Sequence, residues 1–177
     1  IRIGWPQFEL GAFATSPIRT TSAAATRAAD VIVGPALTVG SALSLYMEMT
    51  AGGSTGVQAG AQVDDGTSTN RVFLWRSNTV PTGNVRNGGV DSVSSGSGTL
   101  AAGSSGKSAI AVAANDAALS FDGGAVVTGA TVTFPTGLNR LSLGQNGASF
   151  PSLNGYLRRV AYFPTRLTNA QLQALTQ

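Results

Sequence analysis

Short runs of alternating apolar and polar residues, separated by Gly, Asn, Asp, Ser and Pro, recur along most of this chain. In residues 41–50 the apolar side of the run consists of Leu43, Leu45, Met47 and Met49. Because successive side chains of a strand point to opposite faces, such a run predicts a strand with one buried face. The pattern recurs in residues 57–63, 70–77, 107–114, 117–121 and 155–163. Short strands at this spacing predict an all-β fold, a two-sheet antiparallel β-sandwich.

Helical periodicity is confined to the end of the chain. There Thr168 can cap a helix whose apolar residues are Ala170, Leu172, Ala174 and Leu175. We therefore predict one short C-terminal helix. The sequence lacks the crossover helices that a parallel α/β fold needs. Residues 80–106, rich in Gly and Ser, predict weak edge strands or hairpin loops, and residues 125–127 and 132–134 predict short strands.

Composition excludes several classes of chemistry. The chain contains no His and no Cys, and only 11% of its 177 residues are charged. Imidazole bases, thiolate nucleophiles and zinc sites built from these residues are therefore excluded. The net charge of +3 is scattered, so we expect no nucleic-acid partner, and no apolar run reaches the roughly 18 residues of a membrane span. The first residue is Ile, so we expect a single domain cut from a longer polypeptide.

The two ends of the chain carry a specific resemblance. Residues 153–175 read LNGYLRRVAYFPTRLTNAQLQAL. This strand, proline and capped helix resemble the close of the concanavalin A-like (laminin G-like) jelly-roll domains of bacteriophage tail and fibre proteins. Residues 7–11, 15–20 and 26–30 resemble the linker that joins such a domain to a preceding fibre module. The resemblance implies an N-terminal strand and linker in residues 1–28 and a jelly-roll domain in residues 29–177.

The resemblance also implies a biological setting. Domains of this kind belong to the tail or surface appendage of a virion and act outside the cell. The partners that follow from this setting are a host cell-surface glycan, other virion proteins and further copies of the chain in a homotrimer. Neither nucleic acid binding nor membrane insertion is expected.

One predicted strand carries the strongest binding signal. Arg71, Phe73 and Trp75 alternate with smaller apolar residues and therefore share one face. An aromatic ring can stack on the apolar face of a sugar, and a guanidinium group can hydrogen-bond its hydroxyls or a carboxylate. Tyr46 extends this ligand-binding platform if its strand lies in the same sheet. The alternative is that Phe73 and Trp75 form the core between the sheets.

Asp64 and Asp65 are the candidate metal ligands. Calcium takes six to eight oxygen ligands, and turns rich in Asp supply them. Asp122 and Asn146 are further candidates in later turns. Asp and Asn are also ordinary turn residues, and we favour that interpretation. Apart from calcium, no cofactor is predicted.

Catalytic patterns are weak. A glycosidase needs two carboxylates about 5–10 Å apart, whereas Glu48 is the one Glu inside a predicted strand. Residues 101–108, AAGSSGKS, match a relaxed phosphate-loop pattern, but the pattern functions only before a helix, and a strand is predicted here. We interpret this segment as a hairpin loop.

Arg158 and Arg159 are adjacent in the last predicted strand. Successive positions of a regular strand point to opposite faces. We therefore expect one of the two side chains to be buried against a carboxylate such as Asp30.

These observations favour a non-enzymatic carbohydrate-binding module that attaches a phage tail fibre, spike or similar particle to a host surface. The alternative from another class is a structural spacer or decoration domain of the virion without an external ligand. A polysaccharide depolymerase fragment is the third interpretation, and it requires two facing carboxylates in a groove.

Overall fold

The structure, a computed structural model, describes residues 32–52, 56–145 and 152–177. The predicted linker of residues 1–28, the predicted domain start at residue 29, Asp30 and Asn146 lie outside the described residues. Within the described part of the chain, no helix is long and apolar enough to cross a membrane.

The described residues form eleven strands and one helix, arranged as two antiparallel sheets. The elements are β1 (Ile32–Ala36), β2 (Ala42–Ala51), β3 (Val57–Asp64), β4 (Arg71–Ser77), β5 (Val80–Asn87), β6 (Val90–Gly96), β7 (Ser105–Ala113), β8 (Asp116–Phe121), β9 (Val127–Gly129), β10 (Arg140–Leu143), β11 (Gly155–Phe163) and α1 (Asn169–Thr176). Sheet A has the strand order β1-β10-β3-β4-β5-β6, and sheet B has the order β11-β2-β7-β8-β9. The predicted all-β, two-sheet sandwich with one short C-terminal helix is confirmed.

The hydrophobic core lies between the two sheets. Its buried side chains include Leu43, Leu45, Met47, Met49, Val63, Val72, Leu74, Val85, Ile110, Val112 and Leu119. The inward alternation predicted for β2 is confirmed. Gly83 of β5 contributes no side chain, because a Cβ there would lie 3.0 Å from the terminal methyl groups of both Ile110 and Leu119.

The region predicted as weak edge strands contains a central strand. β5 lies between β4 and β6, and β6 is the strand at the edge. On the inward face of β5, Gly83 leaves its space to side chains of the opposite sheet, so the strand has little apolar alternation of its own. Residues 132–134 form no strand, although the buried Val132 side chain still joins the core. The strand predicted at residues 125–127 begins only at Val127.

A β-bulge in β11 overturns the prediction for Arg158 and Arg159. Leu157 pairs with Met49 of β2 and Arg159 pairs with Glu48, so Arg158 is an extra residue between two consecutive pairs. Both arginine side chains are exposed. The extra residue cancels the alternation that would have turned one of them inward, and the prediction of a buried arginine is wrong.

The C-terminal helix begins with a complete capping box. The Thr168 hydroxyl accepts from the Gln171 backbone N–H at 3.2 Å, and the Gln171 side-chain oxygen accepts from the Thr168 backbone N–H at 2.8 Å. Leu172 is fully buried against the side of sheet B that faces away from sheet A. The helix thus covers part of this second side of the sandwich.

Two valines of the β5–β6 hairpin provide a matched test of the core. The Val85 side chain is fully buried, whereas that of Val90 is 71% exposed. We expect Val85→Ala to lower the free energy of unfolding by roughly 1–3 kcal/mol, from lost transfer energy and a residual cavity. Val90→Ala should change it by less than about 0.5 kcal/mol. Urea denaturation measures both, and equal losses would contradict this placement of the core.

Candidate functional site

The outer face of sheet A, the side turned away from sheet B, carries three rows of chemically distinct side chains. Residues that pair across neighbouring strands share a face, so the strand register defines each row. The charged row consists of Arg140, Asp64, Arg71, Arg86 and Asp91. The polar row consists of Ser142, Gln62, Phe73 and Asn84. The aromatic row consists of Ala59, Trp75 and Thr82.

The structure brings Arg71, Phe73 and Trp75 together as one stack along β4. The Arg71 guanidinium carbon lies 5.2 Å from the centroid of the Phe73 ring. The Phe73 and Trp75 rings are nearly parallel, at 4°, with centroids 6.0 Å apart. Val72 and Leu74 occupy the core between the sheets, so the alternative that placed the aromatic residues there is not observed.

This stack is not an open platform. The Phe73 side chain is fully buried and Arg71 is 3% exposed, whereas Trp75 is only partly buried. Phe73 can therefore support its neighbours, and Trp75 is the ring of the pair that a ligand could reach. The binding prediction for these residues stays a prediction, now with Trp75 as the position of contact.

Tyr46 does not belong to this face. It lies on β2 in sheet B, and its ring packs with Leu172 of the helix on the opposite side of the sandwich. The condition for extending the platform, a strand in the same sheet, is therefore not met. Burial raises the pKa of the Tyr46 hydroxyl and the charge of Glu48 adds to the rise, while Arg159, 5.8 Å above the ring, acts in the opposite direction.

Asp64 is the buried anchor of the charged row. Its carboxylate forms an ion pair with Arg140 and accepts hydrogen bonds from Gln62 Nε2 at 2.7 Å and from the Gly66 backbone N–H at 2.8 Å. A buried carboxylate needs several hydrogen-bond donors, because a missing donor would leave part of its negative charge uncompensated. Its oxygens are thus engaged by the chain itself.

Arg71 lies in the same row, between two ion pairs. Arg86 pairs with Asp91 at 3.1 Å on one side, and Asp64 is paired on the other. Burial lowers the pKa of Arg71 and the neighbouring charge of Arg86 lowers it further, against the opposing effect of Asp91 and Asp64. The row holds a desolvated guanidinium group directly beside a second one, with a carboxylate on the outer side of each.

Asp65 organises the turn that follows β3. Its carboxylate accepts from the Thr67 backbone N–H at 2.8 Å, from the Thr67 hydroxyl at 2.7 Å and from Asn70 Nδ2 at 2.8 Å. Burial acts to raise the pKa of Asp65, but these hydrogen bonds together outweigh it and the pKa lies below its ordinary value. Among the described residues, no group of three or more His, Cys, Asp or Glu side chains could hold a metal ion. The calcium prediction for Asp64 and Asp65 therefore gains no support from the geometry.

Sequence reasoning missed the polar row. Gln62 Oε1, Asn84 Oδ1 and Ser142 Oγ are buried and have no hydrogen-bond partner among the described residues. Native structures leave few such atoms unpaired, so three of them in one row beside an aromatic stack call for an explanation. The signal was present in the sequence, because each of these polar residues alternates with inward-facing apolar or glycine positions on its strand.

Asp64 and Asp91, the two carboxylates of the charged row, do not form a catalytic pair of the glycosidase type. Asp64 and Asp91 share a row but lie three strand spacings apart, about 14 Å at roughly 4.8 Å per strand, beyond the range of such a pair. Asp116 pairs with Arg166 at 2.8 Å, and Asp122 accepts the Lys107 backbone N–H at 2.7 Å. Glu48 lies on sheet B directly opposite Lys107.

The phosphate-loop match of residues 101–108 is accidental. Its last four residues begin β7, and Lys107 pairs with Glu48 of β2. A strand follows where a phosphate loop requires a helix. The segment connects β6 of sheet A to β7 of sheet B, so it is a connection between the sheets, and the interpretation as a hairpin loop is wrong.

No family model matches the chain, and no curated protein sequence matches it. Solved structures do. The CBM40 domain of Ruminococcus gnavus IT-sialidase bound to α2,3-sialyllactose has a TM-score of 0.65 and 16% identity, covering 84% of this chain and 97% of that one. Domain 4 of AbnA, a GH43 extracellular arabinanase from Geobacillus stearothermophilus in complex with arabinotriose, has a TM-score of 0.63 and 16% identity, covering 83% and 72%. Domains LG4-5 of the mouse laminin α1 chain have a TM-score of 0.59 and 14% identity, covering 78% and 40%.

The chain has a jelly-roll β-sandwich fold. The carbohydrate-binding and laminin G domains to which it is similar share this architecture, so the fold implied by the resemblance is confirmed. These structures come from sialidase, arabinanase and laminin proteins, and the tail-fibre setting stays a prediction.

The turn at Asp65 predicts a specific acid dependence. The pKa of Asp65 in the folded state lies below its ordinary value, so the ionised carboxylate stabilises the fold at pH values above the ordinary pKa. This stabilisation is lost as the pH falls through the folded-state pKa. We expect Asp65→Asn to destabilise the domain at neutral pH and progressively less below about pH 5. Denaturant unfolding of both proteins between pH 7 and pH 2 measures this difference. A difference that stays constant over the range would contradict the role of ionised Asp65.

Proposed function

We propose that this domain is a non-catalytic carbohydrate-binding module whose binding site is the outer face of sheet A. The observation that carries the proposal is the polar row. Three buried hydrogen-bonding atoms, on Gln62, Asn84 and Ser142, lack partners within the described part of the chain and lie beside the stacked rings of Phe73 and Trp75. Sugar hydroxyls can donate to amide oxygens while the apolar face of the sugar ring covers an aromatic side chain.

Trp75 and the polar row have different tasks in this proposal. Trp75, which is partly accessible, stacks on the sugar ring, and Phe73 behind it holds the indole in place. Asn84 Oδ1 and Gln62 Oε1 accept hydroxyl hydrogens, because Asn84 Nδ2 is already held by the Val93 carbonyl and Gln62 Nε2 by Asp64. The amide orientations are therefore set before any ligand arrives, which lowers the entropic cost of binding.

Likeness to solved sugar-bound modules supports the same function. Two of the similar structures contain sialyllactose and arabinotriose. The carboxylates of Asp64, Asp65, Asp91 and Asp116 are engaged within the chain, which favours binding over hydrolysis. We place the module in a phage tail fibre or a similar virion appendage, where it attaches to a host glycan outside the cell. Repeated copies in a trimer would turn weak single sites into avidity.

A glycan array tests the binding site. We expect the 177-residue chain to bind a defined set of oligosaccharides, and both Trp75→Ala and Asn84→Ala to weaken that binding by about tenfold or more, which corresponds to roughly 1.4 kcal/mol. Asn169→Ala, on the exposed first turn of α1, is the matched control and should leave binding unchanged. Thermal unfolding of each variant separates loss of the site from loss of the fold.

The near-complete burial of Phe73 and Arg71 favours one other function, a structural spacer of the virion. In that case the stack is a packing layer, and the outer face of sheet A contacts no ligand. Silence of the wild-type chain across a broad array, with the fold intact, would support the spacer and overturn the glycan site. Binding that survives both Trp75→Ala and Asn84→Ala would also place the site elsewhere.

A further inference from the structure

We propose a second binding site, for an acidic polysaccharide, on the outer face of sheet B, the side turned away from sheet A. It consists of Tyr156, Arg158 and Arg159 on β11 together with Thr50 on β2 and Ser105 on β7, which we call the basic patch. The patch lies on the opposite side of the sandwich from the proposed site on sheet A, and it does not depend on that site.

The β-bulge of β11 creates the patch. Arg158 Nε donates to Thr50 Oγ1 at 3.1 Å, and the Arg159 guanidinium carbon lies 5.8 Å above the Tyr46 ring. Thr50 and Tyr46 are separated by an even number of positions on β2 and therefore share a face, so both arginines point to the same side of sheet B. A regular strand would have turned one of them into the core. The extra residue instead presents two adjacent guanidinium groups to solvent.

The charges of this surface are unbalanced. Arg159 of β11 and Lys107 of β7 both lie directly opposite Glu48 of β2. Lys107 Nζ is also held by the Gln177 carbonyl oxygen. None of the salt bridges between described residues involves Arg158 or Arg159. Arg158, Arg159 and Lys107 thus lie with the carboxylates of Glu48 and Asp122 on this side of the sheet, which leaves net positive charge for an anionic ligand.

A row beside the arginines supplies the groups that a sugar ring needs. Tyr156, Thr50 and Ser105 pair across β11, β2 and β7. The Tyr156 side chain is 57% exposed, and the Thr50 and Ser105 hydroxyl oxygens lie 2.8 Å apart. An accessible ring next to hydroxyls can stack on a pyranose and exchange hydrogen bonds with it. The helix packs mainly on β7 and β8.

These features favour a sugar polymer with carboxylate or sulfate groups over other polyanions. Guanidinium forks bind such planar or tetrahedral anions through paired hydrogen bonds. A nucleic acid duplex binds mainly through many phosphate contacts, and two arginines with one nearby carboxylate supply too few. The aromatic ring and the hydroxyls can contact one sugar unit, and the guanidinium groups can bind the acidic group of that unit or of the next one.

Binding of the full chain to polygalacturonate oligosaccharides tests the proposal. By isothermal titration at low salt, we expect Arg158→Ala/Arg159→Ala to weaken binding by about tenfold or more, and Tyr156→Ala to weaken it by a smaller factor. The charge-preserving double variant Arg158→Lys/Arg159→Lys should retain part of the affinity, because Lys lacks the planar fork. Added salt should weaken wild-type binding more steeply than that of the alanine double variant.

Several outcomes separate this site from the one on sheet A. Trp75→Ala should bind polygalacturonate as the wild type does, whereas a loss equal to that of the arginine variants would place this ligand on sheet A. No binding by the wild type, or equal binding by the wild type and Arg158→Ala/Arg159→Ala, would overturn the proposal. Equally tight binding to single-stranded DNA or to vesicles with anionic lipids would also overturn it. Thermal unfolding confirms that each variant is folded, and Tyr156→Ala, at an exposed position, tests the patch if the double variant is not.

Discussion

The packing of Val72 and Leu74 of β4 against the second sheet determines what sheet A can offer to a partner. Once this pair faces inward, the alternation of the strand turns Arg71, Phe73 and Trp75 outward, and the antiparallel register aligns the neighbouring strands with them. Burial of apolar side chains on the inner face of sheet A thus aligns side chains of similar chemistry in rows on its outer face. The charged, polar and aromatic rows follow from the inward orientation of Val72 and Leu74.

The polar row has a stability cost that packing alone does not require. A buried polar atom without a hydrogen-bond partner costs on the order of 1–3 kcal/mol, and among the described residues Gln62 and Asn84 each carry such an amide oxygen and Ser142 such a hydroxyl. Apolar residues at these positions would remove the cost. Local departures of this kind from optimal packing are typical of functional sites, where the missing partner is a ligand. The stack of Phe73 and Trp75 beside them adds the apolar contact that a sugar would use.

Much of the architecture followed from the sequence because alternation and capping are local properties. The strand of Leu43, Leu45 and Met47 and the helix after Thr168 were predicted on that basis. The position of β5 inside sheet A was not predicted, because Gly83 is required there by the Ile110 and Leu119 side chains that extend across from sheet B. Tyr46 was added to the binding platform on the condition that its strand joined the same sheet, and that condition is not met. Its strand was correctly identified, but no local pattern tells which of two sheets a strand will join.

The bulge at Arg158 shows how one inserted residue changes the chemistry of a surface without changing the fold. The strand keeps its pairing with β2 on both sides of the extra residue, so the core contacts of Leu157 and Val160 are preserved while two positive charges come to lie together. With the polar row on sheet A and the basic patch on sheet B, the two sides of the sandwich differ in charge and in hydrogen-bonding capacity. Under the two proposals, the domain would contact two chemically different ligands at once, and in the proposed assembly of several copies each face would multiply its own weak affinity independently of the other.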